Sequence, residues 1–420
     1  MPPTTASPAH SDHPLGRRIA GRLDELAALS DEPARITRLY LSPAHRKAAD
    51  LVAGWMAGCG MSHRIDTVGS VVGRYAAATA GAPVLVIGSH IDTVIDAGKF
   101  DGNLGVVTAI EVVDQLHRAG RRLPFTIEIV AFGDEEGSRF PSTLGGSRLL
   151  AGSFDKTILD ETDTDGISRR SALVAFGCDP GRIDQDAQRT EPVLGYVEVH
   201  IEQGPVLEAR GLAVGVVTAI NGATRGTIEV HGIGGHAGTI PMHLRRDAVC
   251  AAAEMALAIE RRGASEPDLV ATVGRIDVPG GVVNSVPGLA RFTLDVRSPS
   301  DERRASAVSD ICTHIEEIAG RRGVEVSVTL GYQAPAAPCD ERLAGLIAAA
   351  VAAHGIEDHR LPSGAGHDAM SFSGTWPMAM LFVRCRGGVS HSPAEHASPE
   401  DIDTAARVLA RFIDELALTL

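Results

Sequence analysis

Four apolar, β-favouring runs in this chain each end on residues that ligate metals. They are 84–92 (VLVIGSHID), 127–136 (IEIVAFGDEE), 196–203 (YVEVHIEQ) and 380–391 (MLFVRCRGGVSH). Short apolar runs of this kind read as strands buried on both faces, the habit of parallel sheets. Between the first two lies GKFDGNLGV, with Asp101 just ahead of a helical pattern. Leu104, Val107, Ile110, Val113 and Leu116 recur at every third position, with Asn103 the expected cap and Gly120 the expected end. Strand, helix and strand together predict a βαβ unit in a mostly parallel sheet. Ligands of such sheets gather beyond the carboxyl ends of the strands, where His90, Glu135 and Glu136 fall.

The rest of the chain divides around this unit. Residues from about 15 to 60 carry a helical pattern, and 153–192 read as irregular loops and short helices. From 224 to 332 the character changes to strand, helix, two strands, helix and strand, the βαββαβ order of a ferredoxin-like module. No ligand-type residue of the strand-end runs falls inside it, so it reads as an insertion. Helix 342–354, strand 380–384 and helix 399–418 then resume the first domain. The expected fold class is α/β: a metal-binding domain with a mixed, mostly parallel sheet over 1–215 and 332–420, and an inserted ferredoxin-like domain over 216–331.

Composition narrows the partners. A net charge of −14 over 420 residues argues against a generic nucleic-acid binder. No apolar run reaches the roughly 18 residues of a membrane span. Six cysteines are scattered without a CxxC pair, which gives no disulfide framework or zinc knuckle. They read as reduced thiols of a cytoplasmic protein. Residues 1–14 lack a basic and then apolar signal-peptide pattern and read as a disordered leader.

Carboxylates and imidazoles suit the divalent cations used in hydrolysis, and a pair of cations needs one carboxylate with an oxygen for each. Asp101, at a loop-to-helix junction, is the candidate bridge. His90 and Glu136 are candidates for one ion each, with His200 and His391 completing the set. The donor types suit Zn²⁺ or Mn²⁺, and also Co²⁺ or Ni²⁺. Asp92, two residues after His90, is placed to accept the ring N–H of that histidine. Glu135 and Glu136 point in different directions at a strand end, leaving Glu135 as the candidate general base. A Glu-Glu pair alone means little: Glu316 and Glu317 sit in a helical pattern and read as a solvated face.

With these residues in view, GSHIDTV, GKFDGNLGV, FGDEEGSRF, HIEQGPVLE and HAGTIPM resemble the amidase/hydantoinase/carbamoylase branch of the M20 metallopeptidase-like family. The resemblance runs from about residue 15 to the end. It implies a zinc-peptidase-like catalytic domain, a ferredoxin-like lid that forms a homodimer, and two metal ions per subunit. It assigns His90, Asp101, Glu136, His200 and His391 as ligands and Glu135 as base, the same set that the residues suggest. It further implies that His236 stabilises the oxyanion in a partner subunit's site, and that Asn284 and Arg297 hold a substrate carboxylate. Gln203 matches a substrate or metal-side contact, and Gly366 lies in GAGHD (364–368), similar to a pocket-lining loop.

Arg225 in GATRGTIEV is most similar to the allantoate-cleaving members of that branch. The implied reaction is hydrolysis of a ureido C–N bond of a small carboxylate, allantoate giving ureidoglycine, ammonia and carbon dioxide. N-carbamoyl-L-amino acid or β-ureidopropionate hydrolysis is the alternative, and dipeptide cleavage or a non-catalytic role a remote one. PGGVVNSVPG departs from the family, which more often has a single small residue before the Asn-containing turn.

Overall fold

The computed structural model describes residues 13–420. The leader expected over 1–14 falls outside the described residues except for its last two. Of these, Pro14 already opens the first helix, Pro14–Ala27. The chain packs as two units. One comprises the residues up to Thr218 with Cys339–Leu361 and His367–Leu420; the other comprises Ala219–Pro338 and Pro362–Gly366.

The first unit is built on a mixed sheet. Its centre holds four parallel strands in the spatial order Thr126–Phe132, Val84–His90, Val193–Ile201 and Met378–Val383. Every residue of Thr126–Phe132, Val84–His90 and Met378–Val383 is buried, which is why these segments read as mostly apolar runs, with Glu128 the charged exception inside one. Strand Val71–Tyr75 adds antiparallel beside Thr126–Phe132, and Ser62–Ile65 pairs with it in turn. On the far side Val214–Ile220 runs antiparallel to Met378–Val383. Helices cover the sheet. Pro399–Leu418 buries Ile402, Ala405, Leu409, Phe412, Ile413 and Leu416, one apolar stripe, and Ser398 caps its first turn at the Asp401 N–H. Removing the ring of fully buried Phe412 costs about 3–5 kcal/mol.

Two local expectations fail for identifiable reasons. The helical pattern of residues 15–60 breaks into Pro14–Ala27 and Pro43–Gly58. The intervening loop buries Arg38, whose guanidinium donates to the carbonyls of Leu26 (2.7 Å), Leu29 (2.9 Å) and Ile91 (2.6 Å) and to Asn103 Oδ1 (2.8 Å). That side chain joins the end of the first helix to the segment after His90 and the start of the helix after Asp101. Asn103 is not the cap of helix Asn103–Arg118. Gly102 holds the cap position at φ 64°, and the Asn103 amide donates to the Asp101 carbonyl at 3.0 Å. A Cβ on Gly102 would run into the His90 ring, so both the backbone and the crowding require glycine.

The second unit is an antiparallel sheet in the order Ile276–Asp277, Leu289–Ser298, Gly222–His231, Glu325–Ala334, with Val270–Thr272 also paired to Leu289–Ser298. Helices Ala248–Gly263 and Asp301–Arg322 pack on it around Ile228, Val230, Met255, Phe292, Leu294 and Ile311. Asp247 and Ser300 are the N-caps of these helices. Chain order and strand order are those of a ferredoxin-like module. Strand Leu289–Ser298 alternates: Ala290, Phe292, Leu294 and Val296 are buried on the helix side. Arg291, Thr293, Asp295 and Arg297 therefore occupy the other face.

Candidate metal centre

The four central strands of the first unit converge on Asp101. Its Oδ1 lies 3.1 Å from His200 Nε2 and 3.7 Å from His90 Nε2. Its Oδ2 lies 3.2 Å from His391 Nε2, which is also 3.5 Å from Glu136 Oε2. One carboxylate thus serves two donor sets, His90 with His200 and Glu136 with His391, and each set with Asp101 falls within 4.8 Å. Carboxylate with imidazole is the chemistry that hard-to-borderline divalent ions accept, and a carboxylate with one oxygen per set is what a metal pair needs. The residues present therefore fit divalent cations.

The surroundings hold these donors in place. Backbone N–H groups of Phe100 and Asp101 donate to Glu395 Oε1 at 2.8 and 3.0 Å. Ser390 Oγ and Gln203 Nε2 donate to Asp101 Oδ2 at 2.8 and 3.0 Å. His200 Nδ1 faces the Ile201 carbonyl at 2.9 Å, which turns Nε2 toward Asp101, where it also accepts the Gly102 N–H at 3.2 Å. His90 Nδ1 lies 3.1 Å from the Asp92 carbonyl and 3.5 Å from its carboxylate, so the backbone oxygen is the nearer partner. The Asp92 carboxylate instead accepts the N–H groups of Glu135 and Glu136. Glu135 Oε2 sits 4.0 Å from His90 Nε2, beside the donors but outside the pair that meets at His391.

Burial pushes Glu135 well above the usual carboxylate range; His90 opposes the shift and Glu136 adds to it. Burial likewise raises Glu136, to about 7. Asp101 goes the other way. Burial alone would raise it, but hydrogen bonds from His200, His391 and His90 hold it well below the usual range. Asp101 is thus the one carboxylate of the three whose neighbours favour its charged form.

Several participants carried no sequence signal strong enough to single them out. Glu395 shows only as an acid in a loop. Glu198 is buried on a strand, accepting from Ser89 (2.8 Å), Tyr196 (3.1 Å) and the Ala369 N–H (3.1 Å), and it groups with His200 and His367. The GHD triplet was a usable cue for His367, whose ring packs edge-on to His200 at 4.4 Å. Asp134 of the FGDEE run is buried and ion-paired to Arg169, which fixes the turn that carries Glu135.

The remaining expected residues lie in the second unit. Arg225 and Arg297 both pair with Asp295, and Arg297 also donates to the Gly364 carbonyl. Gly366 is exposed in the loop after strand Arg360–Ser363. His236 and Ser285 are cross-strand partners, and the Ala237 N–H donates to the Asn284 carbonyl at 2.9 Å. His236 Nδ1 accepts the Gly238 N–H at 3.1 Å, so in the neutral ring the proton sits on Nε2. Arg245 holds this loop through the carbonyls of Ile240 (3.0 Å) and Ala237 (2.5 Å).

Residues 86–415 match the family model described as Peptidase family M20/M25/M40. The chain belongs to the M20/M25/M40 peptidase family. Among its M20 relatives, an allantoate deiminase of Arabidopsis thaliana is 39% identical, over 95% of this chain and 82% of that one. An N-carbamoyl-L-amino acid amidohydrolase of Geobacillus stearothermophilus is 38% identical, over 96% of this chain and 98% of that one. A solved hydantoinase/carbamoylase-family amidase of Burkholderia multivorans superposes with a TM-score of 0.90 at 32% identity, covering 96% and 98% of the two chains. Among the described residues no helix is long and apolar enough to cross a membrane.

Proposed function

We propose that this M20 protein is a metal-dependent amidohydrolase that cleaves a ureido or carbamoyl C–N bond of a small carboxylate, with allantoate as its substrate. The reading rests on the two oxygens of Asp101, each facing a separate His-containing donor set. The names of its relatives, an allantoate deiminase and an N-carbamoyl-L-amino acid amidohydrolase, supply the bond type.

In this reading His90, His200 and Asp101 hold one cation, and Glu136, His391 and Asp101 the other. Bound there, Zn²⁺ or Mn²⁺ would supply Lewis acidity toward the carbamoyl oxygen and lower the pKa of water toward neutrality. Glu135 takes the proton of the attacking water and passes it to the departing nitrogen. A carboxyl raised by burial suits that task, because proton carriers work best with a pKa near the operating pH. By the family resemblance, His236 Nε2–H donates to the developing oxyanion in a partner subunit's site, the subunits pairing through residues 216–331. Asn284, Arg297, Arg225, Gln203 and the Gly366 loop hold the substrate. Water attack on the carbamoyl group of allantoate then releases ammonia and carbon dioxide and leaves ureidoglycine.

N-carbamoyl-L-amino acids are the alternative, because the Geobacillus enzyme named for them is as similar to this chain, at 38% identity, as the Arabidopsis allantoate deiminase at 39%. Ammonia release from metal-free protein resupplied with Mn²⁺ or Zn²⁺ separates the two. Allantoate and a panel of N-carbamoyl-L-amino acids are assayed side by side. Faster turnover of allantoate supports the proposal, and no ammonia from any of them with either metal overturns it.

A further inference from the structure

The second unit holds a cavity of about 640 Å³ whose charged lining consists of Arg225, Arg297 and Asp295. The arrangement follows from strand register. Asp295 lies directly opposite Arg225 across the strand pair, and Arg297 lies two residues further along the same face. Arg297 grips the carboxylate at both oxygens, Nε to Oδ1 at 2.9 Å and Nη2 to Oδ2 at 2.9 Å. Its third contact, Nη1 to the Gly364 carbonyl, is 2.6 Å. Arg225 Nε reaches the same Oδ2 at 3.0 Å, and its guanidinium lies over the Tyr332 ring, 4.9 Å from the centroid. Two cations therefore share one anion.

The wall carries a net charge of +1. Arg225 and Arg297 contribute two positive charges and Asp295 removes one. A ligand with one carboxylate brings the wall to neutrality through the remaining guanidinium N–H groups. A ligand with two carboxylates leaves its second charge facing Asp295 with no cation to meet it. Specificity of this kind comes from a repulsive group as much as from an attractive one.

We propose that Asp295 is a specificity-determining residue, tuning the Arg225–Arg297 cavity to ureido or carbamoyl acids with a single carboxylate and against dicarboxylates. The inference rests on the amidohydrolase reading for the substrate class, and on the ion-pair geometry for the charge count. Asp295 also orients both guanidinium groups, so Asp295→Asn is the matched change. It keeps the shape and one acceptor oxygen while raising the wall to +2. Arg225→Gln makes the opposite change, to zero.

The test measures binding of N-carbamoylglycine and N-carbamoyl-L-aspartate to full-length, metal-free protein by calorimetry. Hydrolysis of both by the metal-loaded protein is followed in parallel. The wild type is expected to prefer the glycine derivative. Asp295→Asn should move the aspartate-to-glycine affinity ratio up by about tenfold, the scale of one unit charge about 3 Å away in a water-like dielectric, as befits an open cavity. Arg225→Gln should move it down. An unchanged ratio in Asp295→Asn overturns the proposal, and so does an unchanged ratio in Arg225→Gln should Asp295→Asn fail to fold. A ratio that shifts in a protein that hydrolyses neither compound upholds the charge selection and sinks the amidohydrolase reading. Hydrolysis with an unshifted ratio does the reverse.

Discussion

The carboxylate of Asp92 accepts the backbone N–H of Glu136 on one oxygen, at 3.2 Å, and that of Glu135 on the other, also at 3.2 Å. Asp92 therefore sets the turn that aims both glutamates, in addition to lying beside the His90 ring. Asp92→Asn turns an NH₂ toward one of those N–H groups, so a donor faces a donor. Metal affinity should fall about 10–100-fold, the usual cost of disturbing a ligand's support. Chelator competition measures it. Affinity equal to wild type would show that the turn holds without the clamp.

Glu135 and Glu136 are neighbours to which the proposed reaction gives separate tasks. Glu135→Gln should retain its bound metal and lose about 10²–10⁴-fold in kcat, the range of general acid–base catalysis. Glu136→Gln should lose metal first, because Glu136 shares His391 with Asp101. Metal content by elemental analysis, read beside ammonia release, distinguishes them. A fully active Glu135→Gln variant removes Glu135 from the proton path.

The donors at the centre were legible because each residue type sits where a buried strand ends. His90, Glu136 and His200 follow or close apolar runs, and Asp101 sits between a loop and a helix that share the βαβ pattern. Glu395 and Arg38 were not legible. Their contacts span 294 residues in one case and up to 65 in the other, and nothing local marks a loop acid or a helix-region arginine as a partner of distant backbone. The edge strand Ser62–Ile65 and its neighbour Val71–Tyr75 also escaped notice. The first is mostly exposed and carries His63 and Arg64, so it shows no apolar run. Asn103 misled for a different reason: Asn favours caps, but crowding by His90 reserves that position for Gly102.

His45 should give the fold a measurable acid sensitivity. Its Nδ1 accepts the Leu41 N–H at 2.9 Å, and its ring stacks on Phe176 at 4.9 Å. Burial pushes its pKa down to about 4, against the pull of Asp92. An unfolded histidine titrates near 6.5, so between roughly pH 4 and 6.5 the unfolded chain binds the extra proton. This contribution is intact above that window and is lost as pH falls through it, by up to about 3 kcal/mol. His45→Gln keeps an acceptor and removes the titration. Urea unfolding of both proteins from pH 7 to 4.5 should converge toward low pH, and parallel curves would contradict the assignment.

His236 offers the test of subunit sharing. Its loop is held by Arg245, and its Nε2 is left to donate, yet neither fact says whose substrate it serves. His236→Ala should be inactive through loss of the oxyanion donor, and His90→Ala through loss of a ligand. If His236 acts across a twofold dimer, each mixed dimer regains one site made of an unmutated His90 and an unmutated His236. Equal mixing after subunit exchange then restores about a quarter of wild-type activity, since half the dimers are mixed and each has one working site. Differently tagged subunits verify that mixed dimers form. Mixed dimers without activity would place His236 in its own subunit's chemistry or outside the reaction.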